Sequence, residues 1–390
     1  MAQPSHSSER IVIVGGGFAG LSAAARLAES GLPVTVIESS KLGYAASTQN
    51  QGWLHSGAWF AKAHPELANL CYESLLQTVA YCPECLEPGF GGMIYCSLSD
   101  PGSLQTWEKA WKAAGIPTQP LLTGELKWNM PQLERDAFAW TVRLPDRSFR
   151  PDVLLSQLAV TARNAGAEIR SNTTVTGLMM QDQLLEGVSV GANEELPARL
   201  VIMATGAYSV TRFPQLYQAI ATEQSNYRLV CLKTHLRAIS PGLTIDPFCI
   251  VDGVGMNHLP HPGTSVFGTS RWEVVSNAES EEVEKSEVEI IERQLAQLFP
   301  NGLDEKVNVH DWAGTTVQAM HVEQIEPGNA PLPTIIDHSQ EPNRIENVLS
   351  IFPGRATLWA HLAEEVRTTV LEKIGSRQAE ASLPPWAIMT

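Results

Sequence analysis

Arg10-Ile11-Val12-Ile13-Val14-Gly15-Gly16-Gly17-Phe18-Ala19-Gly20-Leu21-Ser22-Ala23-Ala24-Ala25-Arg26 decides the fold, because a short apolar run breaks at three glycines and resumes as an alanine-rich helical pattern. The periodicity predicts a strand at 10–14, a helix at 21–30 and a second strand at 33–38, a complete βαβ opening of about 30 residues. Within it Gly15 permits a tight turn, Gly17 lets the backbone approach a pyrophosphate, and Gly20 packs the helix against the strand, with Phe18 and Ala19 in the first helical turn. The unpaired N–H groups and dipole of a helix start favour an anion, and Glu38 at the end of the second strand is placed to accept hydrogen bonds from a ribose. A dinucleotide is the ligand such an arrangement serves.

Working outward, 390 residues suffice for two domains, and 44% hydrophobic with 18% charged residues describes a packed globular chain. The formal charge of −15 repels phosphate backbones, so nucleic acid is not an expected partner. The apolar run at 11–25 is interrupted by glycines and falls short of the roughly 20 residues of a membrane helix. The reading is therefore a cytoplasmic protein with no transmembrane segment. Six cysteines are too sparse for a disulfide scaffold, and Cys82-Pro83-Glu84-Cys85 lacks the second pair or histidines of a metal site, so no metal is expected and the pair reads as structural.

Further along, 151–165 has helical spacing and 168–180, including Val175, reads as a strand. Residues 200–203 form a buried strand ending in Ala204-Thr205-Gly206. The stretches 227–238 and 264–268, separated by Pro/Gly clusters, point to a second, mostly antiparallel sheet. The acidic stretch 279–299 keeps apolar residues at helical spacing, which makes its glutamates a solvated face. The chain closes with a strand at 348–352, the run Pro353-Gly354-Arg355-Ala356-Thr357, and a helix at 358–374.

Residues 200–207 resemble the second signature of FAD enzymes, and the helix-opening run at 354–357 resembles the segment that brings N–H groups and positive charge beside the flavin pyrimidine. A simple NAD domain needs neither. Ala46-Ser47-Thr48-Gln49-Asn50-Gln51-Gly52-Trp53-Leu54-His55-Ser56-Gly57-Ala58 is similar to the flavin-contact segment of the glycerol-3-phosphate dehydrogenase and L-2-hydroxyglutarate oxidase group, within the D-amino-acid-oxidase-like FAD superfamily. Residues 144–151, 204–206 and 352–357 with 362–364 resemble the same group in the same order.

The resemblance implies a Rossmann-like FAD-binding α/β domain of the glutathione-reductase type, assembled from 8–85, 146–215 and 345–375, and an α+β substrate domain from 86–145 and 216–344. It implies FAD contacts at Gly15, Gly17, Phe18, Ala19, Gly20, Glu38, Ser47, Thr48, Gln49, Gly52, Trp53, Leu54, Val175, Thr205, Gly206, Gly354, Arg355, Ala356 and Thr357. The implied reaction passes hydride from a CH–OH or CH–NH carbon of a small substrate to flavin N5, with oxygen, a quinone or a protein as final electron acceptor. His55, inside the contact segment, His258 as a candidate base, with His235 and His261 as alternatives to it, and Arg355 beside the flavin are the expected catalytic residues.

The departures bear on substrate. Glycerol-3-phosphate enzymes place Arg-Tyr where this chain has Trp59-Phe60, and an Arg where it has Thr316, after Trp312-Ala313-Gly314-Thr315. A buried dianion needs charged partners, so glycerol 3-phosphate is not the expected substrate. Trp59, Phe60, His235, Arg271 and Thr316 are the candidate pocket residues. Two other readings are an amine or amino-acid oxidase of the same superfamily and a non-catalytic flavin-binding assembly or sensor protein.

Overall fold

The structure, a computed structural model of the chain, describes residues 9–88, 91–121, 138–220, 222–244, 246–276, 279–299, 306–322 and 332–375. Two compact units are present, one from residues 1–48, 152–231 and 316–390 and the other from 49–151 and 232–315.

The first unit is built on a six-stranded sheet, in the order Thr334–Asp337, Val348–Phe352, Leu200–Met203, Ile11–Val14, Val34–Ile37, Glu168–Arg170. Its pairings are parallel except at the edge, where Thr334–Asp337 runs antiparallel to Val348–Phe352. The central strands are buried on both faces, which is why they read as unbroken apolar runs rather than alternating ones. Alternate side chains serve different layers. Ile11, Ile13, Leu200 and Ile202 pack with the helices Phe18–Glu29 and Trp359–Ile374. Val12, Val14, Val201 and Met203 pack with the three-stranded antiparallel sheet Val175–Gln181, Leu184–Val190, Glu194–Pro197. Burying each such Val, Leu or Ile side chain contributes about 1.5–3 kcal/mol, so both layers are needed to hold the strand ends in place.

One expectation is corrected here. Residues 168–180 are two strands in two different sheets, Glu168–Arg170 and Val175–Gln181. Asn172 between them adopts φ 51°, the left-handed conformation that asparagine tolerates, and its N–H donates to the Ser40 carbonyl.

The second unit carries a mostly antiparallel sheet, ordered Glu273–Val274, Tyr227–Ser240, Thr264–Thr269, Met256–His261, Phe248–Ile250, Met93–Ser97, Trp140–Leu144, Gln119–Pro120, with Asn308–His321 also pairing with Tyr227–Ser240. Tyr227–Ser240 and Asn308–His321 are the long strands along which the chain passes from one unit to the other. Under one part of the sheet an aromatic cluster forms, with Trp107 stacked on Trp111 at 5.7 Å and Trp111 edge-on to Tyr95 and Trp140. Elsewhere Phe248, Met256 and Phe267 bury against Ile291, Leu295 and Leu298 of helix Lys285–Leu298. The apolar residues at 291, 295 and 298 follow the helical period foreseen for the acidic stretch.

These units divide the chain differently from the expected segments. Residues 49–85 lie in the second unit, because Trp53–Leu54 pairs with Arg147–Ser148 there, and 216–231 and 316–344 lie in the first.

Candidate functional site

The glycine turn of the first unit shows why each glycine stands where it does. Gly15 has φ 112°, and a Cβ there would collide with the Ala204 carbonyl on the neighbouring strand. A Cβ on Gly20 would collide with the Gly15 carbonyl, so helix Phe18–Glu29 can approach the first strand only as glycine. At Gly17 the added atom would lie 2.8 Å from Ser47 Oγ, the end of a side chain, so the three glycines form a close cradle of backbone at the helix start with Ser47 beside it. No acidic residue occupies the first turn, and Ser47 Oγ accepts a hydrogen bond from the Phe18 N–H at 3.1 Å. Glu38 holds the rim: Oε2 accepts from the Gly16 N–H at 2.7 Å and Oε1 from the Ser40 N–H at 2.9 Å. The glycine cradle, a helix N-terminus and a carboxylate at the strand end together fit a dinucleotide pyrophosphate and ribose.

Other cofactor candidates of this unit cluster at the same strand ends. Leu200–Met203 leads into Thr205, whose Oγ1 lies 2.8 Å from Ser209 Oγ, and Gly206 adopts φ 54°. Val348–Phe352 leads into Gly354, at φ 67°, and Arg355 opens the short turn Ala356–Leu358 before helix Trp359–Ile374, with Thr357 fully buried. Thr48 Oγ1 donates to the Gly43 carbonyl at 2.6 Å, and Thr173 N–H donates to the Glu38 carbonyl just ahead of Val175. Thr205, Gly206 and residues 354–357 follow the carboxyl ends of parallel strands, where α/β sheets bind ligands.

In the second unit the contact segment is held by a buried carboxylate that the sequence reading did not single out. Asp146, fully buried, accepts from Trp53 Nε1 at 2.9 Å and Tyr95 OH at 3.2 Å, and also from Ser56 Oγ. Burial pushes its carboxyl above the usual carboxylate range, opposed by these donors. Trp53 and Ser56 flank His55, which is 8% exposed and lies between the ring edges of Trp53, at 5.9 Å, and Phe60, at 5.8 Å. Gln49 carbonyl accepts from Trp312 Nε1 at 2.9 Å, and Leu54 is fully buried opposite Arg147. Pro145-Asp146-Arg147 reads locally as a turn, and only the fold reveals the three donors from distant positions.

The remaining candidates sort themselves by environment. His258 is fully buried between Phe248 and Phe267, with Nδ1 3.2 Å from the Asp246 carbonyl and Nε2 2.9 Å from Ser265 Oγ. Burial lowers its pKa to about 3, and with both nitrogens engaged it cannot take a proton from a substrate; its expected role as base is corrected to a structural one. His235 Nε2 accepts from the Glu284 N–H at 3.0 Å just ahead of helix Lys285–Leu298, and burial followed by the nearby Lys233 charge lowers its pKa. Trp59 is half-buried, packs 6.4 Å from Trp107 and covers Gly255. Arg271 is half exposed and pairs with Glu287 at 2.9 Å. Thr316 is half-buried within Asn308–His321, and Phe60 is half-buried beside His55. Cys82 and Cys85 are buried and not joined by a disulfide, with both thiols pushed up by burial.

The histidine assignment predicts acid sensitivity. Folded His258 stays neutral to about pH 3, whereas unfolded it takes a proton near 6.5, so the unfolded state binds more protons below that value. Stability present above about pH 6.5 is therefore lost as pH falls toward 3, by up to about 1.4 kcal/mol per pH unit. His258→Gln should flatten the melting-temperature profile over this window; a profile as steep as the parent's would assign the acid lability elsewhere.

Residues 10–339 match the family model of the DAO type, described as FAD dependent oxidoreductase. The chain belongs to the DAO family of FAD dependent oxidoreductases, and FAD is the cofactor of that family. It is 26% identical over 405 residues to the anaerobic glycerol-3-phosphate dehydrogenase subunit A1 of Haloferax volcanii, covering 97% of this chain and 66% of that protein. The chain thus spans about two thirds of that relative's length. Iminodiacetate oxidase from Chelativorans sp. BNC1 shares the fold with a TM-score of 0.72 at 17% identity, covering 96% of this chain and 97% of that one. Glycine oxidase from Geobacillus kaustophilus does so with a TM-score of 0.70 at 19% identity, covering 94% and 95%. Among the described residues no helix is long and apolar enough to cross a membrane.

Proposed function

We propose that this chain binds FAD noncovalently through Gly15, Gly17, Phe18, Ala19, Gly20, Glu38, Ser47, Thr48, Val175, Thr205, Gly206 and residues 354–357, with Gln49, Gly52, Trp53 and Leu54 as further contacts, and oxidises a small substrate at a CH–OH or CH–NH carbon. The observation that carries the reading is the glycine cradle with Glu38 on its rim, in a chain of this family. Bound FAD would supply the hydride acceptor. The helix start at Phe18 stabilises the pyrophosphate charge, Glu38 orients a ribose, and Arg355 brings positive charge to the helix-opening turn. His55, shielded by Trp53 and Phe60, is the proposed group at the reacting carbon.

A phosphate ester is not the proposed substrate. Three nearby candidates are engaged: Lys233 lies 3.6 Å from Glu284, Arg237 is bidentate to Asp311, and Arg271 pairs with Glu287. The fold neighbours named for amine and amino-acid substrates make a CH–NH carbon a reading to test beside CH–OH. Oxygen, a quinone or a protein is the proposed acceptor, and the cytoplasm the proposed location. Anaerobic flavin bleaching with panels of amines, amino acids and hydroxy acids tests the reaction; a yellow protein that no panel member reduces would favour the sensor reading.

A further inference from the structure

His261, at the end of strand Met256–His261, lies against the turn of the contact segment. Its Nε2 is 2.9 Å from the Gln51 carbonyl oxygen and its Nδ1 3.2 Å from Glu87 Oε1. Both neighbours are acceptors, so both contacts are hydrogen bonds only when the ring donates from both nitrogens, toward a carboxylate whose side chain is 5% exposed. The adjacent residue is closed off on every side. Gly52 has φ 72°, and a Cβ there would lie 2.6 Å from both His261 Cε1 and the Phe149 carbonyl oxygen. Its N–H donates to Asn50 Oδ1 at 2.8 Å, and its carbonyl accepts from the Phe149 N–H at 2.9 Å. Glu87 is itself anchored, donating its N–H to the Ser148 carbonyl at 2.9 Å, on the strand that pairs with Trp53–Leu54.

We propose that His261, braced by Glu87, is a positioning residue that fixes the Gln51–Gly52 step and thereby the flavin contacts of Gly52, Trp53 and Leu54. The inference rests on the reading that this segment touches FAD. Its ring fills the place a side chain at residue 52 would take, its Nε2 donates to the preceding carbonyl and its Nδ1 is tied to Glu87, so the step has one available position.

The test uses full-length protein, wild type and with His261→Phe, which keeps ring bulk but no donors, Glu87→Gln, which is nearly isosteric, and both together. The measurements are the dissociation constant of FAD from reconstituted apoprotein and the visible circular dichroism of bound flavin. His261→Phe should weaken FAD about tenfold and change the dichroism, and the double variant should be no weaker than His261→Phe alone, since the two side chains act as one unit. Should His261→Phe fail to fold, Glu87→Gln carries the same two measurements, with a few-fold loss and the same spectral change expected. Variants that fold with wild-type affinity and unaltered dichroism, or strictly additive losses, would overturn the positioning role. A wild-type protein that binds no FAD would instead overturn the reading beneath it, and that result precedes any substitution.

Discussion

Gly17→Leu should give a folded, colourless protein, whereas Gly20→Val should compromise folding itself. The two glycines lie three residues apart, yet their surroundings differ. At residue 17 the nearest obstacle is Ser47 Oγ, which can rotate away, so a leucine is accommodated by filling the cradle over the helix start. The pyrophosphate would lose that space, and with it the N–H groups it needs. At residue 20 the obstacle is the Gly15 carbonyl, a backbone atom that cannot move without displacing the first strand or the helix. Overpacking of this kind typically costs about 1–3 kcal/mol and more against backbone. Flavin content and thermal melting of the two purified variants check both claims. Full flavin retention by Gly17→Leu would mean that the phosphate site has been misplaced.

Glycerol 3-phosphate should be a very poor reductant of the bound flavin. Trp59 and Thr316 stand where glycerol-3-phosphate enzymes resembling this chain have arginines, and Lys233, Arg237 and Arg271 are held by carboxylates. A buried dianion without charged partners loses several kcal/mol of solvation, and each 1.4 kcal/mol or so is a tenfold loss of affinity. Anaerobic mixing with glycerol 3-phosphate is the check, and reduction at micromolar concentration would require one of those cations to leave its glutamate or aspartate for the phosphate. The 26% identity to a glycerol-3-phosphate dehydrogenase subunit extends over nearly the whole chain, so this measurement separates substrate from overall likeness.

What could be read in the sequence was local. The change from strand to helix period around Gly15–Gly20 placed the βαβ opening to within about three residues at each boundary, because glycines and apolar spacing act within one stretch of chain. The break inside 168–180 was hidden, since Asn172 turns the chain without interrupting the apolar pattern enough to show. The aromatic cluster of Trp107, Trp111 and Trp140 and the Asp146 hub depend on pairings between distant segments, which spacing does not reveal. The histidines at 258 and 261 illustrate the same limit. Three residues apart on one strand, they point to opposite faces, and only the neighbouring strands decide that His258 enters the core while His261 meets the contact segment.

The most direct test of the account is the identity of the released cofactor. Protein purified without added flavin should be yellow, and acid or heat should release FAD at about one per chain, the stoichiometry of a single Rossmann-type cradle. A colourless protein that takes up NAD in place of FAD would contradict it.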